Sequence, residues 1–230
     1  KASSPEQFSR ADIMDRLLEL YEEEAEGTDS VRTMVRASGT LVDKSLMDRL
    51  LIILKGWKDE WTGKNLERTS IRADNYMILT SPESWHPLGR KKLQKAEAKL
   101  DAHREIWDMA KAVMASVDNE FASKYTALAV THNFQGSPHI DRQNVGPFYG
   151  LSLGDFDDGT GGVMVECSAR VVAHVNTKNR LGKVDGRFPH WVSSFCTVLI
   201  YASVFYLAAS KILIFLLILC GTRTHAFFCA

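Results

Sequence analysis

In Ser137-Pro138-His139-Ile140-Asp141, a histidine and an aspartate stand two positions apart. In an extended strand such residues project to one face, so an imidazole nitrogen and a carboxylate oxygen can reach the same ion. A His-x-Asp pair arises often by chance. Its weight comes from a third donor about fifty residues on, His190 in Val184-Asp185-Gly186-Arg187-Phe188-Pro189-His190-Trp191-Val192. Two histidines and one carboxylate on one side of an octahedral ion leave positions open to a chelating cosubstrate and O₂. His174, in Val171-Val172-Ala173-His174-Val175, competes as the third donor because strand alternation could turn it inward. No Asp-Gly turn precedes it, which ranks it second. His132 reads as a core or strand-edge histidine.

Other clusters carry less. Asp155, Asp157 and Glu166 fall at the first, third and twelfth places of a calcium loop, but its sixth place is Thr160 where glycine is needed, so a hairpin turn is the better reading. Arg142, Arg170, Lys178, Arg180, Lys183 and Arg187 are scattered near the histidines. They fit a solvated face, a guide for nucleic acid or a partner for a ligand carboxylate. No Gly-x-Ser-x-Gly elbow or phosphate loop is present.

The elements that must position these donors change character along the chain. Residues 10–26 predict a helix with Ile13, Leu17, Leu18 and Tyr21 on one face. Asp43 is a candidate N-cap for a second helix that turns Leu46, Leu50, Leu51, Leu54 and Trp57 inward. Residues 62–90, with Pro82 and Pro87, read as irregular. One long helix is expected from about Arg90 to Phe121, because Leu93, Leu100, Trp107, Met114 and Phe121 recur every seventh residue. Ala and His at the alternate stripe positions favour packing along a sheet over a coiled coil. From 125 onward, short β-rich runs at 125–133, 150–153, 162–167, 170–175 and 183–185 alternate with Gly, Asp and Asn turns. Helices followed by strands give an α+β fold, the strands forming a sandwich or jelly roll. The expected division is a helical N-terminal region over 1–122, a β core over 123–192 and an apolar tail over 193–230.

Three stretches together resemble the double-stranded β-helix dioxygenases that use Fe(II) and 2-oxoglutarate. They are His139-Ile-Asp-Arg-Gln-Asn144, Gly150-Leu-Ser-Leu-Gly-Asp-Phe156 followed by Gly161-Gly162-Val-Met-Val165, and Asp185–Val192. Their order is similar to that of the TET/JBP-like branch. The resemblance covers about residues 125–192. It implies a jelly-roll core with helices packed on it, His139, Asp141 and His190 as iron ligands and catalytic residues, and 2-oxoglutarate as cosubstrate, converted to succinate and CO₂. Asn144 would hydrogen-bond a ligand or the cosubstrate, or cap a turn. The resemblance also implies an Arg or Lys about ten residues beyond the distal histidine, on the last core strand, to pair with the far carboxylate of 2-oxoglutarate. Here the usual basic anchor is absent: no Lys or Arg occurs between Arg187 and Lys211. A catalytically degenerate, metal-binding relative is therefore the alternative.

Lys+Arg and Asp+Glu are both 28, and Lys211 and Arg223 are the only charges after Ser193, leaving 26 basic against 28 acidic residues in 1–192. That balance does not support a nucleic-acid partner, although the resemblance keeps a nucleic-acid base open as substrate. The four cysteines, three of them in the tail, make neither a disulfide framework nor a zinc site. No signal-peptide core is seen at the start, so an intracellular location, nuclear or cytoplasmic, is expected for the body. The abrupt change at 193 reads as a replaced C-terminus. Thr197–Cys220 holds one charge, Lys211, and is a candidate membrane segment that would tether the chain as an interaction protein.

Overall fold

The computed structural model describes residues 32–61, 73–81, 89–134, 136–141, 146–158 and 160–192, together with the backbone of 200–206. The expected helix at 10–26, Arg142, Asn144 and most of the tail lie outside them. The Asp43 carboxylate does cap a helix, α1 (Lys44–Asp59), accepting the N–H groups of Ser45 at 2.8 Å and Leu46 at 3.4 Å. Met47, Leu50, Leu54 and Trp57 form its buried stripe.

The expected long helix is three: α2 (Arg90–Ala102), α3 (Arg104–Ala115) and α4 (Asn119–Lys124). His103 breaks the first junction with φ −124° and ψ 31°. Asp118 starts the last helix by accepting the Phe121 N–H at 2.9 Å. The seven-residue stripe survives both breaks, since Leu100, Trp107, Met114 and Phe121 are all buried. Lys95 and Arg104 are exposed as the stripe requires, whereas Lys99 is half-buried and burial pulls its pKa down to about 8.

The strands are β1 (Thr33–Ser38), β2 (Thr40–Leu41), β3 (Asn75–Thr80), β4 (Ala127–His132), β5 (Phe148–Gly154), β6 (Val163–Ser168), β7 (Val171–Asn176), β8 (Arg180–Val184), β9 (His190–Val192) and β10 (Ile200–Tyr206). They form a four-stranded sheet, β1-β7-β6-β9, and a six-stranded sheet, β2-β8-β5-β10-β4-β3. His139 bridges antiparallel to His190 and so continues the first sheet past β9. From β4 onward the chain passes repeatedly between the two sheets, which is the winding of a double-stranded β-helix. The sheets face each other: a Cβ at Gly150 of β5 would lie 3.9 Å from Val163 Cγ2 of β6. The helices cover the opposite face of the larger sheet, where the Phe121 and Tyr149 rings meet edge-on at 4.9 Å.

Two segments depart from expectation. The stretch 62–90 contains β3, a buried strand paired along its length with β4. Within the apolar tail, β10 pairs antiparallel with both β4 and β5 and fills the centre of the six-stranded sheet. Among the described residues no helix is long and apolar enough to cross a membrane.

The Gly161-Gly162 pair meets two separate demands. Gly161 has φ 63°, the left-handed region glycine enters without strain. A Cβ at Gly162 would lie 2.4 Å from the Val175 carbonyl oxygen and 2.7 Å from His174 Nε2. Gly162→Ala must therefore push β6 from β7, and is expected to lower stability by about 1–3 kcal/mol in urea denaturation. An unchanged midpoint would show that the pairing yields without cost.

Candidate metal centre

The site is assembled at one end of the smaller sheet by main-chain pairing. His139 and His190 exchange N–H to carbonyl bonds of 3.0 and 2.9 Å, which sets their side chains next to each other. The Asp185-Gly186 turn supplies the third constraint, because the Gly186 carbonyl accepts the Asp141 N–H at 2.8 Å. That turn is itself held by Arg187, whose guanidinium donates to both Asp185 oxygens at 2.6–3.1 Å. The Arg187 hydrogen bond is the main reason the Asp185 carboxyl sits below its ordinary pKa.

The ligand atoms of His139, Asp141 and His190 lie within 4.8 Å of one another. His139 Nε2 is 3.8 Å from Asp141 Oδ1, and His190 Nε2 is 3.8 Å from Asp141 Oδ2. Those separations are too long for hydrogen bonds. They suit three groups arranged round one ion with bonds of about 2.1 Å after small side-chain rotations. Each imidazole is oriented from behind: His139 Nδ1 is 2.7 Å from the Ser137 carbonyl and His190 Nδ1 is 3.0 Å from that of Phe188. A carbonyl only accepts, so both Nδ1 atoms carry the proton and both Nε2 lone pairs point to the centre. The two rings are 4.3 Å apart, and the Phe148 ring lies 5.4 Å from that of His190.

His190 is 3% exposed and its Nε2 has no hydrogen-bond partner among the described residues. Burial, with the neighbouring His139, pushes its pKa down to about 4, so the ring is neutral near pH 7. A buried nitrogen lone pair without a donor costs free energy unless something occupies it, and a divalent cation would. The donor set fits Fe(II), which takes imidazole and carboxylate ligands.

The other candidates are placed elsewhere. His174 pairs in register with Met164, one residue from Val165, which is opposite His190. Neighbours along a strand face opposite ways, so His174 projects from the far face of the sheet. His132 is buried against Asn75 Oδ1 at 2.8 Å, and burial pushes its pKa down to about 4. Asp157 and Thr160 close a turn, the Thr160 hydroxyl donating to the Asp157 carbonyl at 2.8 Å. Of the scattered cations, Lys178 donates to the Phe156 carbonyl, and Lys183 lies over the Tyr149 ring. Sequence reasoning missed the carbonyls of Ser137, Phe188 and Gly186, because a main-chain acceptor has no residue signature. Phe148 could have been found only by knowing that β5 crosses the site.

No family model matches the chain, and no match is found among curated proteins. Three solved structures are similar at low identity. NgTET1 in complex with 5mC DNA is 11% identical, over 87% of this chain and 91% of that one, with a TM-score of 0.41. The 2-oxoglutarate complex of dioxygenase for auxin oxidation 1 from Arabidopsis thaliana is 13% identical over 89% and 90%, with a TM-score of 0.37. A Pseudomonas putida prolyl-4-hydroxylase is 12% identical over 74% and 90%, with a TM-score of 0.41.

Proposed function

We propose that the chain is an Fe(II)-dependent dioxygenase that uses a 2-oxo acid, with His139, Asp141 and His190 as the metal ligands. The observation that carries this reading is the convergence of two carbonyl-oriented imidazoles and one carboxylate inside a double-stranded β-helix. Iron bound there supplies a redox centre with open positions for a 2-oxo acid and O₂. The chain's own role is to hold both histidines in one tautomer and to screen the back of His190 with Phe148.

The metal fits these residues, but the far carboxylate of 2-oxoglutarate, the cosubstrate the motif resemblance implies, does not. Among the described residues the last core strand is β10; it begins at Ile200, ten residues after His190, and none of its seven residues is Lys or Arg. This absence favours a second reading, a metal-binding relative without turnover. The TET/JBP-like order of motifs makes a nucleic-acid base the substrate class to try first, and the even charge balance leaves protein and small-molecule substrates beside it.

Incubating the chain with Fe(II), O₂ and millimolar 2-oxoglutarate and measuring succinate tests the two readings. Metal-dependent succinate that disappears in Asp141→Ala supports the oxygenase. Stoichiometric metal binding without succinate from any 2-oxo acid selects the inactive relative.

A further inference from the structure

The two faces of the smaller sheet are buried in an unexpected order. Val163, Val165, Ala173 and Val175, which look toward the larger sheet, are only half-buried. Met164, Glu166, Val172 and His174, on the far face, are 4–8% exposed. The register sets these four side by side, with Trp191 opposite Met164 and with Met34 and Arg36 of β1 beside Val172 and His174. A solvated outer face would show the reverse, buried residues inside and exposed ones outside. Met164 and Val172 are also separate from the main apolar core. The described helices pack on the larger sheet, and in the neighbouring turns Ser168, Arg170, Arg187 and Phe188 are exposed, so neither explains the burial. It is burial within a single chain, and the cover therefore belongs to that chain.

Two stretches outside the described residues are apolar enough to serve, the helix expected at 10–26 and the tail at 207–230. Chain path favours the first. The chain enters the sheet at this face: Thr33 N–H donates to the Arg170 carbonyl at 2.8 Å, and Arg32 reaches Glu166 at 3.0 Å. Residues 27–31 can span roughly 17 Å, more than the width of four strands. A helix of that length runs about 25 Å, enough to cover strands of about 20 Å. Charge favours the same segment. Ile13, Leu17, Leu18 and Tyr21 share one face, and Asp15, Glu19, Glu22 and Glu26 the opposite one. The run Glu22–Glu24 with Glu26 stands at a helix C-terminus, where cations are favourable, and Arg32 and Arg36 lie at the edge the chain enters. The tail carries only Lys211 and Arg223, which those arginines would repel.

We propose that the outer face of the smaller sheet, formed by Met164, Val172, His174 and Trp191, is the docking surface for this chain's own residues 10–26, held as an amphipathic helix. Ile13, Leu17, Leu18 and Tyr21 lie on the sheet, and the acidic end meets Arg32 and Arg36.

Oxidation of the whole chain by hydrogen peroxide, read at each methionine by mass spectrometry, tests this. Met164 should oxidise at least about tenfold more slowly than Met34, which is 54% exposed on the same face. Leu17→Asp should bring Met164 within about threefold of Met34, while Met77 in the core stays protected. Glu19→Gln, on the opposite helix face, should change neither rate. Photo-methionine incorporated in place of methionine decides the matter if Leu17→Asp unfolds the chain and exposes Met77 as well. On irradiation of that otherwise unaltered chain, position 164 should link to residues 10–26 of the same molecule. Rapid oxidation of Met164 in the unaltered chain, or its continued protection in Leu17→Asp, overturns the proposal. So do links from position 164 to 207–230, to a second chain or to its own sheet alone.

Discussion

Replacing His190 by alanine will weaken divalent-metal binding more than about a hundredfold, because even partners behind a metal ligand are worth ten- to a hundredfold in affinity. Titrating the metal-free chain with Mn(II) measures it. Asp141→Ala should be equally severe, since it removes the one carboxylate the two imidazoles share. His174→Ala is the control: that ring faces away from the site, so affinity should hold within about twofold. If His174→Ala and His190→Ala lose metal equally, the assignment of the distal ligand is wrong.

Trp107→Ala is expected to cost about 3–5 kcal/mol in urea denaturation, the usual loss for a buried tryptophan. Trp107 is 7% exposed on α3, and its ring lies 4.8 Å from that of Tyr125 just ahead of β4. Removing it opens a cavity where the helical layer meets the six-stranded sheet, which in turn carries Phe148 to the metal centre. Mn(II) affinity should survive in the fraction that stays folded. A loss below about 1 kcal/mol would mean that the seven-residue stripe is a free surface.

The site was legible because its signals are local. His-x-Asp needs two residues, and the Asp-Gly turn before His190 marks the point where the chain must bend to place Gly186 beside Asp141. The cap at Asp43 was legible for the same reason. The strands missed were those whose pattern tertiary packing overrides. β1 is exposed along its length and shows no alternation of burial. β3, Asn75-Tyr-Met-Ile-Leu-Thr80, is buried on both faces, so it reads as an apolar run without period 2. β10 is paired on both edges within a long apolar stretch, so it too reads as an apolar run without period 2. The helix breaks at His103 and Asp118 were hidden by the stripe, because short interruptions leave Leu100, Trp107, Met114 and Phe121 on the same side.

The most direct measurement of the metal centre is the proton NMR spectrum of the Co(II)-loaded chain. With Nε2 as ligand and Nδ1–H donated to Ser137 and Phe188, two imidazole N–H protons should appear strongly shifted by the paramagnetic ion, and both should vanish in D₂O. His139→Ala and His190→Ala should each remove one of them or abolish binding of the ion. A spectrum with no such pair, or one whose shifted signals disappear in His174→Ala, would contradict the account.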